Sequence, residues 1–310
     1  MEKSRDIRNR IKSVTGTRKI TKAMEMIASS KIRKAQGRIL EARAFIEKIE
    51  EVITDIACYS GLVSDYPLLV PHEDEKVVLI VGLTADRGLC GGYNANIIRL
   101  LEDNIKDWKS QGYEVKLDII GTRGRNYFRY TGFPISNIYE NLSDYPKFLD
   151  AREISTDIIS RYISGEVDKV VICYTRFKNA AEQIPSMWQI LPISMEEKII
   201  RGEIKEIAPG KVQIGDRLCL INSEFMFDPS PLDILDSLLP QYIYTTIYGV
   251  LLEATASETG ARMTAMKSAS DNAEDMIKDL VKLYHRARQQ QITSEITEIV
   301  SGAQALTIAD

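Results

Sequence analysis

The chain has 310 residues, 44 % of them hydrophobic and 27 % charged, an ordinary soluble balance that excludes a disordered polymer. A formal net charge of −4 excludes a molecule built throughout to coat nucleic acid. That average hides an asymmetry: residues 1–50 carry 14 Lys/Arg against 6 Asp/Glu, a net of +8, which leaves −12 for the other 260.

The opening "MEKSRDIRNR" is charged from its second residue, so no signal peptide is expected. All ten prolines fall between Pro67 and Pro240. Lys3–Ala57 therefore lacks the strongest helix breaker and predicts one helix of about 80 Å at ~1.5 Å per residue. Ala35, Ile39, Ala42, Ile46, Ile49, Ile53 and Ile56 step 4-3-4-3-4-3, a seam along one face. Ile7, Ile11 and Val14 begin a similar stripe. Ile20, Met24 and Ile27 are expected to continue it after a shift near Gly16.

The middle of the chain changes period. "EKVVLIVGL" is an apolar run of strand length, followed by a glycine-rich turn and a helical stretch from Asn96 to Gln111. "YEVKLDIIG" predicts a second strand with a helix around Arg123–Thr131 behind it. "AREISTDIISRYISG" predicts a helix stopped by Gly165, and "DKVVICYTRF" a third strand; "MWQILPI" and "RLCLIN" are shorter candidates. Alternation of this kind predicts a small parallel-sheet α/β domain over 75–205. No apolar run here reaches a membrane span.

Gln241–Gly302 predicts the second long helix, about 90 Å at ~1.5 Å per residue. Its expected seam runs through Ile247, Leu251, Ala254, Glu258, Ala261, Ala265, Ser268 and Asn272. Met276, Leu280, Leu283 and Ala287 continue it, and Ile292, Ile296, Ile299, Ala303 and Leu306 resume after a slip. Both lengths far exceed the roughly 10–14 residues of ordinary helices, so the two ends are expected to pair as an antiparallel coiled coil. The alternative is two independent amphipathic helices packed on a globular core, which leaves such lengths unexplained. The expected parts are a coiled-coil helix over 1–57, the α/β domain, and a second coiled-coil helix over 232–310.

Chemistry is sparse. "GLTADRGLCGGYN" follows a strand and precedes a helix, yet it has no GK[ST] and does not match G-x-G-x-x-G. Gly88, Gly91 and Gly92 read as a structural turn. Cys58, Cys90, Cys173 and Cys219 form no close pair, which fits buried thiols in a reducing compartment. Only His72 and His285 exist, and no metal-ligand spacing is present. Neither a catalytic site nor a cofactor is expected. The N-terminal cations lack interleaved aromatics, the first aromatic being Phe45, so nucleic acid is not an expected partner. They read either as a solvated face or as a surface passing acidic protein partners through weak, exchangeable ion pairs.

Three stretches carry a family resemblance. "IRNRIKSVTGTRKITKAMEMIASSKIRKAQ", "TADRGLCGGYNANI" and "ARMTAMKSASDNAEDMIKDLVKLYHRARQQQITSEITEIVSGAQAL" resemble, in order and spacing, the signatures of the γ-subunit family of F-type ATP synthases. The resemblance implies an antiparallel coiled-coil shaft with a Rossmann-like domain, a rotor without catalytic residues of its own. It transmits torque between the membrane c-ring and the α3β3 hexamer in ATP synthesis driven by an ion gradient. The implied partners are the α, β and ε subunits and the c-ring, without membrane insertion, at the cytoplasmic face of a bacterial membrane. Met24 and Arg262 match family positions that meet an acidic β loop. Arg288, Gln289 and Thr293 match positions that contact the α and β catch loops. Phe225, Met226 and Phe227 match a variable stretch near ε and the c-ring. The paired-cysteine insert of the chloroplast type is missing, so thiol control is not expected. The rival readings are a Rossmann-like nucleotide-binding enzyme with a coiled-coil arm and a scaffold coiled coil.

Overall fold

The computed structural model describes residues 4–60, 67–142, 145–193, 204–208, 211–214, 217–220 and 230–308. They divide into two compact units, one of residues 30–261 and one formed by 1–29 with 262–310. The elements in chain order are α1 (Ser4–Ser60), β1 (Val77–Leu83), α2 (Tyr93–Ser110), β2 (Glu114–Ile120), α3 (Thr122–Thr131), β3 (Ile138–Tyr139), α4 (Phe148–Ile163), β4 (Lys169–Phe177) and β5 (Gln183–Leu191). Three short strands, β6 (Ile204–Ala208), β7 (Lys211–Ile214) and β8 (Arg217–Leu220), precede the last helix, α5 (Pro231–Ile308).

The larger unit is built on a five-stranded sheet of order β3-β2-β1-β4-β5. Four strands run parallel, but β5 is antiparallel to β4. The sheet is therefore mixed, where the sequence predicted a parallel one; the short Lys178–Glu182 turn leaves no room for the crossover that a parallel neighbour needs. A second sheet, β6-β7-β8, is antiparallel throughout. The period of two divides the main sheet between two cores. Val78 and Ile80 of β1, Leu117 and Ile119 of β2, and Val171 and Cys173 of β4 pack with Leu101 and Ile105 of α2 and Phe128 of α3. Their alternates Leu79, Val81, Val170 and Ile172 pack with Ile154, Ile158 and Tyr162 of α4. The same core takes in Ile49, Ile53 and Ile56 of α1, and Leu239, Ile243, Ile247 and Leu251 of α5. Gly121 closes β2 at φ 100°, where a Cβ would lie 2.1 Å from the Thr84 carbonyl oxygen, so only glycine fits there.

Pro240 does not bound α5. The helix begins nine residues earlier, at Pro231, and runs through Pro240. Ser230 caps it: its hydroxyl accepts the Asp233 N–H at 3.2 Å and donates to the Asp233 carboxylate at 2.6 Å, with proline in the first helical position.

In the smaller unit, α1 and α5 pair antiparallel. The Ser4 hydroxyl donates to Gln291 at 2.9 Å, and Arg18 meets Glu274 at 3.1 Å. The α1 stripe keeps its phase past Gly16, which corrects the predicted shift. Ile20 and Ile27 are 63 % and 59 % exposed, while Thr21 and Ala28 are buried at 8 % and 3 %. From Ile7 the 4-3 step runs without interruption through 11, 14, 18, 21, 25 and 28, with Arg18 and Glu25 held in it as charged members. On α5 the buried residues are Met266, Ser270, Ala273 and Leu280; the predicted Ser268, Asn272, Met276 and Leu283 are exposed. Alanine, serine and methionine recur on every side of this segment, so apolar character alone does not mark the buried one.

Asp118, fully buried in β2, accepts Arg161 Nη1 at 2.8 Å and the Asn137 N–H at 3.0 Å. Asp118→Ala would leave the buried guanidinium only its longer contacts to Asp157 and Glu166, both at 3.3 Å. It should cost about 3–5 kcal/mol in urea unfolding. Asp168 accepts His72 Nδ1 and the Lys76 and Val77 N–H groups, each at 2.8 Å. Burial alone would raise its pKa, but those partners hold it below the ordinary 3.8. Its stabilisation is therefore complete above that value and is lost as pH falls through the folded one. Asp168→Asn should flatten the acid limb of a stability–pH curve below about pH 5.

Candidate functional site

Two places were candidates for function: the glycine loop after β1, and the surfaces of the long helices. The loop is an internal clamp. Gly91 sits in the left-handed region at φ 57°, as does Leu89 at φ 64°. A Cβ on Gly88 would meet the Arg123 guanidinium at 2.8 Å, whereas one on Gly92 would make ordinary contact with Asn96 at 3.5 Å. The Asn94 side chain accepts the Ala85 N–H at 2.9 Å and donates to Cys90 Sγ at 3.1 Å. Asp86 accepts both the N–H and the hydroxyl of Thr122, at 3.0 and 3.1 Å, which closes the start of α3 with a carboxylate.

The crevice above the sheet is filled as well. In open α/β sheets ligands enter at the carboxyl ends of the strands where the strand order reverses, here between β1 and β4. In this chain α5 occupies that crevice. The Ser257 hydroxyl, fully buried, donates to the Thr175 carbonyl at 2.9 Å, and the Tyr93 hydroxyl donates to the Ala254 carbonyl at 3.4 Å. Ala261 packs on Ala85, Cys90 and Tyr93. Cys90 and Cys173 are buried free thiols, and burial pushes Cys173 up to about 12, so it is an inert thiol. Among the described residues no group of three or more His, Cys, Asp or Glu could hold a metal.

The long helices present a different kind of surface. Beyond Gln291 every α5 residue through Ser301 is exposed, including Ile292, Ile296, Ile299 and Val300. The Ser4–Gln291 hydrogen bond lies at the base of this segment. Arg288 and Gln289 are exposed at its base, and Thr293 is exposed with its hydroxyl donating to the Gln289 carbonyl at 2.9 Å. These three come together on adjoining faces of one helix. Met24 and Arg262 are each half-buried. The Arg18–Glu274 pairing puts Met24 level with residue 268, about 9 Å along the axis from Arg262. Ile20, Met26 and Ile27 face outward from α1, beside the exposed Lys19 and Lys22, the latter paired with Glu25 at 3.0 Å. The sequence placed Ile20 and Ile27 in the seam and so missed an exposed apolar patch; the unbroken 4-3 count from Ile7 was the signal that could have found it. Phe225, Met226 and Phe227 lie outside the described residues.

Residues 3–306 match the family model described as ATP synthase. The chain is 42 % identical to the ATP synthase gamma chain of Halothermothrix orenii over 306 residues, 99 % of this chain and 100 % of the relative. It is 41 % identical to that of Pelotomaculum thermopropionicum over the same shares. This chain belongs to the ATP synthase gamma chain family. A chain of the Euglena gracilis mitochondrial ATP synthase, from its OSCP/F1/c-ring structure in rotational state 3, shares the fold. The TM-score is 0.64 at 16 % identity, covering 98 % of this chain and 94 % of that one. In this chain the central glycine motif packs against the C-terminal helix. No described helix is long and apolar enough to cross a membrane. Tyr93→Ala, which empties that packing, should cost about 3–5 kcal/mol in urea unfolding. Leu89→Ala, at the exposed loop tip, should change stability by no more than about 0.5 kcal/mol.

Proposed function

We propose that this chain is the central rotor subunit of a bacterial F-type ATP synthase. It transmits torque between the membrane c-ring and the catalytic α3β3 hexamer, and carries no catalytic residue of its own. The observation that carries this reading is the unpaired end of α5, which offers exposed isoleucines and a polar base of Arg288, Gln289 and Thr293. An isolated helix with apolar side chains on its surface is poorly stable in water. A surrounding protein collar would supply the missing burial, and the α3β3 hexamer is such a collar.

Torque then follows from differential contact. A helix surface that is not three-fold symmetric, turned inside three β subunits, favours a different conformation in each. In this reading Arg288, Gln289 and Thr293 engage the α and β catch loops. Met24 and Arg262 meet an acidic β loop lower down, from two levels of the helix pair. The exposed cations of α1 suit partners that change at every step, because exposed ion pairs contribute only about 0–1 kcal/mol and exchange readily. Phe225, Met226 and Phe227 would contact ε and the c-ring. The working division is a coiled-coil helix over 1–57, an α/β domain over 75–205 and a coiled-coil helix over 232–310. The assembled protein would lie at the cytoplasmic face of the membrane, held there by its partners. The plugged crevice between β1 and β4 speaks against the nucleotide-enzyme reading.

Replacing Arg288 and Gln289 together by alanine should lower ATP synthesis and ATP-driven rotation of the reconstituted enzyme several-fold. Nucleotide affinity at isolated sites should stay unchanged. Unaltered synthesis and rotation would remove these residues from the coupling path.

A further inference from the structure

Arg38 of α1, half-buried, joins three elements through one guanidinium. A single nitrogen, Nη2, donates to the Pro146 carbonyl at 2.8 Å and to the Tyr248 hydroxyl at 2.7 Å. The guanidinium also lies over the Tyr145 ring, 4.5 Å from its centroid, and 5.9 Å from that of Tyr248. Phe148 meets the Tyr248 ring edge-on at 5.8 Å. Tyr248 belongs to α5, whereas Tyr145 and Pro146 lead into α4 and Phe148 opens it. Asp150 fixes that entry, its carboxylate accepting the Lys147 N–H at 2.8 Å. Further along α4, Ile154, Ile158 and Tyr162 pack on the main sheet. A continuous line of packed and bonded groups therefore runs from the sheet through α4 to α1 and α5.

The helix is weak at this point. The larger unit begins at residue 30 of α1, so Arg38 lies about 12 Å inside it at ~1.5 Å per residue. Gly37 precedes it, and a Cβ there would meet nothing within 4 Å. Packing does not demand glycine at that position, and glycine in a helix interior weakens the helix. Ile32, Ile39 and Ala42 are buried on either side, but the apolar term is non-directional. Two hydrogen bonds and a stacked ring fix one geometry instead. Arginine suits this because its planar group donates in its plane while its face stacks; lysine has neither the plane nor the fork.

We propose that Arg38 is the torque latch of this chain. It is a positioning residue that ties α1 and α5 to the main sheet through α4, beside the weak turn at Gly37, so that twist entering at the sheet reaches the paired helices. The proposal rests on the rotor reading. A latch matters when the chain works against a load and little when it turns freely; a contact that only stabilises the fold makes no such distinction.

The test uses the full chain in the reconstituted enzyme and compares unloaded ATP hydrolysis with ATP synthesis driven by an imposed ion gradient. Arg38→Met, which keeps the apolar stem, should lower synthesis about fivefold and leave unloaded hydrolysis within about twofold. Arg38→Lys should fall between Arg38→Met and the wild type. Tyr248→Phe, which keeps the ring and removes one acceptor, should lower synthesis about twofold with hydrolysis unchanged. If Arg38→Met does not assemble, Arg38→Lys and Tyr248→Phe decide. Equal losses of hydrolysis and synthesis mean a stabilising contact only and overturn the proposal. A coupled wild type beside variants that match it in both activities overturns the latch alone. A wild-type chain that confers neither synthesis nor rotation overturns the rotor reading and the latch with it.

Discussion

The structure depends on one continuous stripe of side chains on α1, stepping four and three, and on its burial against the returning α5. Each fully buried isoleucine removes apolar surface worth roughly 1.5–3 kcal/mol from water. In the larger unit the stripe is dominated by isoleucine, with Ile39, Ile49, Ile53 and Ile56 all buried. In the smaller unit it runs through Thr21 and Ala28, opposite a segment that buries Ser270 and Ala273. Small residues let two backbones approach closely but bury less area per turn. The smaller unit is therefore held by less hydrophobic driving force, to which exposed contacts such as Arg18–Glu274 add little. Segments of low apolar burial open most readily, a property suited to a surface that must accommodate changing neighbours.

The larger unit shows how an architecture that elsewhere binds nucleotides can be turned to packing. The sheet has the crevice between β1 and β4 where a ligand would sit. Ser257, Ala254 and Ala261 of α5 occupy it, and Asp86 closes the start of α3 with negative charge. The glycine loop is tight because Tyr93 and Cys90 must reach the helix.

Much of this was legible in the residues. The proline-free ends and the isoleucine stripe over 35–56 marked the long helices. Near-continuous β-branched runs marked β1, β2 and β4, buried on both faces. What failed did so for identifiable reasons. Ile20 and Ile27 drew the stripe off its phase because large apolar residues outweigh Thr21 and Ala28 on any hydropathy scale. Counting only proline-free residues started the last helix at Gln241, whereas the wider bound of 232 lies one residue from its observed start at Pro231, where Ser230-Pro231 with Asp233 two residues later is a helix-start signal. The antiparallel edge strand β5 follows from loop length, not from strand composition. The Asp118–Arg161 pair joins residues 43 apart whose charges look ordinary in sequence. The proposed contact residues Arg288, Gln289 and Thr293 came from family resemblance, since an exposed arginine or glutamine on a helix carries no signature of its own.

The central claim is the antiparallel register of the two chain ends and the unpaired stretch of α5 that it leaves. Cysteines placed at Ser4 and Gln291, oxidised mildly and mapped by peptide mass spectrometry, test it most directly. The account predicts ready cross-linking of that pair and none when the second cysteine is moved two turns on, to Glu298. Cross-linking of Ser4 to Glu298 in preference to Gln291, or of neither, would contradict it.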